Sequence, residues 1–304
     1  MKYIVVGILL FSIIGCTPEP LDLEVEQAES ELVVSTQIIP DRGMIVAITR
    51  SFSALSDGTE GSFDEEDLSA YLVTNAKVTI DYNNRSVELI EINPGLYFTI
   101  DVIQEVGPTY TINIEDTENS KTAKASTQVL QPIAINGGSA ILDYRETGRT
   151  NLNMTYNFND PPGKNFYMFN VYINPKLPEP GTDGGIEGSI GGSKGGGPQS
   201  DFSGFGNLFS DYSETWLVTD DGFDGQNIRQ EHTVFDIAIS PDDTIFYTLS
   251  NISEDYYNFL NARERSRNTI PFVGEPTTLP TNLEGGYGFF SMHYPFPYFL
   301  SIED

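Results

Sequence analysis

Residues Ala76–Val102 read AKVTIDYNNRSVELIEINPGLYFTIDV. Val78, Ile80 and Tyr82 alternate with polar residues, the pattern of a strand with one buried face. Asn83-Asn84 follows as a tight turn, because asparagine tolerates left-handed backbone. Val87 to Ile92 then returns as the hairpin partner. Asn93-Pro94-Gly95 is the next turn. Proline presets the first central position of a type II turn, and glycine takes the second, where φ is positive. Leu96 to Val102 leaves as a third strand.

The same pattern extends outward. Leu32 to Ile38, Ile45 to Ser51, Thr109 to Ile114 (behind Gly107-Pro108) and Ala123 to Leu130 are short runs rich in apolar or β-branched residues. Turn signals about every 8–14 residues predict an antiparallel sandwich over residues 32–131, with Asp57 to Asp67 as a long loop within it. A connector near Pro132 to Ser139 leads to a second β-rich domain over residues 140–304. Its expected strands are Ala140 to Tyr144, Asn151 to Phe158, Phe166 to Ile173, Glu214 to Val218, His232 to Ile239 and Thr244 to Ser250. Residues 178–206, dominated by Gly, Ser and Pro, read as a disordered insertion, since they cannot bury enough apolar surface to order themselves. Ser253 to Arg267 is the one expected helix. Ser253 is its N-cap, Glu254 and Asp255 complement the dipole in the first turn, and Arg263, Arg265 and Arg267 do so in the last turns. The fold class is therefore mainly β, two β-rich domains with one C-terminal helix.

The N-terminus carries a separate signal. Lys2 precedes an apolar run from Ile4 to Ile14, then Gly15 and Cys16, the sole cysteine. The run suits a secretory signal and falls short of the ~20 residues that span a bilayer. A small residue before a lone cysteine is the pattern of a lipoprotein processing site, so residues 1–15 are expected to be removed and Cys16 acylated. Burial is worth ~0.8 kcal/mol per CH₂, and one chain anchors only marginally, so lasting attachment needs several. Residues 16–31 are acidic and aperiodic, a flexible tether between lipid and fold.

Asp plus Glu number 44 against 16 Lys plus Arg, a formal charge of −28. That excess argues against nucleic acid and against anionic headgroups as partners. Asp220, Asp221 and Asp224 in a glycine-punctuated loop can offer oxygens to Ca²⁺, although their spacing is not that of an EF-hand and a solvated turn is the plainer reading. Asp64 to Asp67 is a weaker acidic group. His232 and His293 are the two histidines; without a nearby cysteine they do not suggest zinc. Ser189 and Ser193 sit in glycine-rich low complexity rather than on the strand-to-helix turn of a nucleophile elbow, and no phosphate loop is present, so no catalytic residue is assigned. Gly285-Gly286-Tyr287-Gly288 reads as chain threading back against a sheet, with Phe289 and Phe290 as core. The alternative is a docking surface built from Tyr287 and the terminal aromatics Tyr294, Phe296, Tyr298 and Phe299, since such rings are favoured at interface cores.

Several stretches resemble one family. They are Glu31 to Val34, Asn75 to Val78, Pro94 to Tyr97, Asn159-Asp-Pro-Pro-Gly163 with Phe166-Tyr167, and Asp220-Asp-Gly-Phe-Asp-Gly225. Ile252 to Leu260, Pro271 to Pro276 and Pro280 to Phe290 continue the series. Together they resemble a Bacteroidota lipoprotein family catalogued as domain of unknown function 4249, from which the glycine-rich stretch Gly184 to Gly197 departs as an insertion. The resemblance implies an immunoglobulin- or transthyretin-like N-terminal sandwich and an outward-facing outer-membrane lipoprotein that accompanies a TonB-dependent receptor. It supplies no catalytic residues. The expected function is thus non-enzymatic: nutrient capture beside a transporter, held to the membrane by lipid. The alternatives are an adhesin-like or structural envelope module and, more remotely, an extracellular hydrolase.

Overall fold

The computed structural model describes residues 29–40, 43–51, 69–144, 150–174, 212–267 and 279–303. The chain is mainly β, with one helix near its C-terminus among these residues. The first sandwich pairs two sheets. One holds β3 (Lys77–Tyr82), β4 (Arg85–Glu88), β7 (Thr109–Asp116) and β8 (Lys121–Gln128), in the order β4-β3-β7-β8. The other contains β1 (Leu32–Ile39), β2 (Gly43–Arg50), β5 (Ile90–Asn93), β6 (Leu96–Thr99) and β15 (Gly286–Phe289), in the order β15-β1-β2-β6-β5. Val78, Ile80, Ile112, Ile114, Val34, Val46 and Ile48 fill the space between them.

Residues 76–102 depart from the expected strands at one place. Val87 to Ile92 is not one strand. It breaks at Leu89, whose N–H bonds Val78 O at 2.9 Å and whose side chain is buried. Before the break β4 pairs with β3; after it β5 pairs with β6 in the opposite sheet. The run therefore crosses the sandwich, a corner that period-2 alternation does not reveal. Asn83 and Asn84 both have positive φ, 49° and 58°, as the tight hairpin turn requires. Gly95 has φ 71°, and a Cβ there would lie 2.9 Å from Ile48 O.

The second sandwich pairs the sheets β13-β10-β9-β17 and β12-β11-β14-β16. The first contains β9 (Ile135–Tyr144), β10 (Thr150–Asn159), β13 (Asn227–Ile237) and β17 (Ile302–Glu303). The second contains β11 (Phe166–Ile173), β12 (Tyr212–Thr219), β14 (Ile245–Ile252) and β16 (Phe296–Leu300). Every residue of β14 is buried, as suits a strand covered on both faces. One face meets the sandwich core through Ile245, Tyr247 and Leu249. The other meets α1 (Glu254–Arg267) through Ile252.

The helix starts where the sequence places it. Ser253 Oγ accepts Tyr256 N–H at 3.2 Å and Ser253 O accepts Tyr257 N–H at 2.9 Å. Tyr256, Phe259 and Leu260 pack on Phe166, Met168 and Phe289. Phe289 belongs to β15, which runs parallel to β1 in the first sandwich. The Gly285–Gly288 segment thus threads back against a sheet, and Leu283, Phe290 and Met292 enter the core of the first sandwich. Asn282 fixes the segment by bonding the N–H and O of Phe290 at 2.9 and 2.8 Å. At Gly288, with φ 100°, a Cβ would meet Val34 O at 1.9 Å, so only glycine allows this approach. The chain then returns to the second sandwich as β16 and β17. The two sandwiches are interlocked by the C-terminal segment and by α1.

Candidate functional site

The acidic loop predicted at residues 220–224 joins β12 to β13 and faces the turn between β10 and β11. Asp160, Asp220 and Asp224 converge there, with a carboxylate oxygen of each within 4.8 Å of the others. Asp160 and Asp220 are buried and Asp224 is exposed. Asp221 is not in the group; its Oδ2 accepts from Thr219 Oγ1 at 2.9 Å. The structure thus replaces Asp221 of the predicted set with Asp160, which stands in Asn159-Asp-Pro-Pro-Gly163.

Each carboxylate accepts a backbone N–H from across the gap or beside it. Gly225 N–H donates to Asp160 Oδ2 at 2.7 Å. Asn165 N–H donates to Asp220 Oδ2 at 2.7 Å, and Gly163 N–H to Asp224 Oδ1 at 2.8 Å. The Tyr167 hydroxyl donates to Asp160 Oδ1. Asn165 Nδ2 closes its own turn onto Pro161 O and Gly163 O at 2.9 and 2.7 Å. Burial raises the Tyr167 phenol far above its ordinary pKa, and the bond to and charge of Asp160 add to the rise, with Asp220 and Asp224 behind them. Tyr167 therefore stays a proton donor.

The arrangement is a clasp in which carboxylates of one loop hold the backbone of the other. Chemically, three clustered carboxylates suit a hard divalent cation, which takes 6–8 oxygens. A cation here would share oxygens that already hold N–H groups. Beside the clasp, Lys164 Nζ bonds Glu254 Oε1 at 2.5 Å and lies 4.9 Å from the Phe166 ring centroid, tying the same turn to the first turn of α1.

The predicted aromatic surface is dispersed. Tyr287 sits on β15, 55% exposed. Tyr294 is half-buried against the first core, whereas Phe296 and Tyr298 are half-buried against the second. The most exposed ring of the terminal run is Phe299, at 59%. Its ring lies 4.7 Å from that of Phe246. His232 is half-buried on the edge strand β13, and His293 is buried against Tyr256, their rings 5.9 Å apart. Cys16, the loop Asp64–Asp67 and the insertion at 178–206 lie outside the described residues. Among the described residues no helix is long and apolar enough to cross a membrane.

No curated protein matches the chain. A family model does match, over residues 18–294, and that span takes in both loops of the clasp, α1 and the returning strand β15. The chain belongs to the family described as Domain of unknown function (DUF4249).

Proposed function

We propose that this chain is a lipid-anchored, non-enzymatic binding module of the outer membrane that works beside a TonB-dependent transporter in nutrient capture. The observation that carries the reading is Cys16 behind the apolar run Ile4 to Ile14, followed by an acidic stretch that ends where β1 begins at Leu32. Several acyl chains on Cys16 hold the protein to a bilayer. The interlocked sandwiches supply a body suited to contact with a partner. The acidic charge, −28 overall, keeps that body off anionic headgroups.

The test is fractionation and co-purification from detergent-solubilised outer membrane. The parent protein should partition with membrane, and Cys16→Ser should be released or left unprocessed. A transporter should co-purify with the parent. Cys16→Ser protein that is cleaved normally and stays with membrane overturns the anchor. A parent that is always solitary overturns the partner.

A further inference from the structure

Among the described residues, the buried polar atoms without a hydrogen-bond partner include three on neighbouring rings of the second sandwich: Tyr156 Oη, Tyr247 Oη and His232 Nε2. They come from β10, β14 and β13, so both sheets contribute. The rings form one assembly. Tyr156 and Tyr247 lie 6.0 Å apart, Tyr156 and His232 5.4 Å apart at 11°, and Trp216 stacks on His232 at 4.4 Å and 14°. Trp216 and His232 are half-buried, on the two edge strands β12 and β13, whereas both tyrosines are buried. Room for the Tyr247 hydroxyl comes from Gly138, which pairs with Tyr156 across β9 and β10. A Cβ on Gly138 would lie 2.1 Å from Tyr247 Oη.

A phenol that crosses to the opposite sheet and finds no acceptor is costly, and buried tyrosine hydroxyls ordinarily have a partner. Interiors meet this need with resident water where polar groups converge. We propose that the second sandwich holds an internal water site, bonded by the Tyr156 and Tyr247 hydroxyls and by His232 Nε2, and closed towards solvent by the Trp216–His232 stack. Burial raises both phenols and lowers His232, so the groups are neutral near pH 7 and the site takes a neutral hydrogen-bonding ligand rather than an ion.

Two measurements on the whole mature chain test it. A high-resolution crystal structure should show water within hydrogen-bond distance of both phenol oxygens. Tyr247→Phe keeps the ring and should lower Tm by about 2 °C or more, because the water loses a partner. Ordered tyrosine rings with no density between them overturn the proposal. So does a rise in Tm with Tyr247→Phe, the result expected when an unpartnered hydroxyl is removed from a dry core.

Discussion

The Asp116 carboxylate, fully buried in the first sandwich, ties its two sheets together. Arg50, at the end of β2, bonds Asp116 Oδ2 at 3.0 Å, and Asn119 Nδ2 bonds the same oxygen at 2.9 Å. Backbone N–H groups of Glu118 and Asn119 fill Oδ1 at 3.1 and 3.2 Å. Burial alone would raise this carboxyl, but the bonds from Asn119 and Arg50 outweigh it and hold it below its ordinary range. Arg50→Ala should destabilise by about 1.5–3 kcal/mol in chemical denaturation, because the buried carboxylate loses its charged partner and keeps only the Asn119 and Glu118 donors. His293 acts in the same direction but at higher pH. Burial lowers its pKa from 6.5 to about 4. The unfolded chain thus binds a proton that the folded chain refuses between those values. Stability should be full above pH 6.5 and fall as pH drops towards 4, by about 3 kcal/mol from this group. Denaturation midpoints at pH 7 and pH 4.5 check it, and His293→Phe should flatten that part of the profile. Asp116 takes effect only lower, as pH falls below the ordinary carboxyl range. Of the clasp, Asp220 and Asp224 were legible from their glycine-punctuated loop. Asp160 was not, because its partners stand about sixty positions away in the chain, outside any local pattern.

Among the elements, β15 depends most on one residue type. Its Gly286 and Gly288 let it lie against β1, where a Cβ would meet Leu32 O at 2.6 Å and Val34 O at 1.9 Å. Gly288→Ala should cost about 2–4 kcal/mol, through both the clash and the positive φ. Thermal melts of the variant, beside Tyr287→Ala on the same strand but exposed, separate this backbone demand from side-chain packing. The clasp loops can be tested together. Adding Ca²⁺ to the parent and to Asp224→Ala distinguishes the two roles: an unchanged parent Tm leaves the carboxylates as a loop clasp. A rise that Asp224→Ala abolishes makes them a cation site. Element existence was readable from alternation at β3, β7 and β10 and from apolar or β-branched runs at β1 and β11, all of which appear at their expected positions. β15 to β17 were not read as strands, because Gly286–Phe289 carries two glycines, Phe296–Leu300 contains a proline, and Ile302–Glu303 has only two residues. Such segments become strands because a waiting sheet edge supplies the hydrogen bonds, not through their own propensity.

At the scale of the molecule, the C-terminal segment couples the sandwiches. It enters the first through Leu283, Phe290 and Met292, meets α1 through Phe289, and enters the second through β16 and Leu300. Asn251 Nδ2 bonds Gln131 O at 3.2 Å, and Thr36 Oγ1 accepts Ser291 N–H at 3.3 Å, adding polar ties along the join. Calorimetry of residues 16–304 should therefore give one cooperative transition. Truncation at residue 279 should destabilise the first sandwich as well as the second, since it uncovers the β1 edge and opens the first core. Two independent transitions would refute the coupling. The primary sequence was enough for the β class, the hairpin at Asn83-Asn84 and the helix with its Ser253 cap, because alternation, turn residues and caps act within a few residues of one another. The crossing of Leu89 between sheets, the joining of Asp160 to Asp220 and Asp224, and the seating of β15 beside β1 arose only on folding. Each depends on groups far apart in the chain satisfying one another's hydrogen bonds and buried surface, and no local pattern encodes which partner will be there.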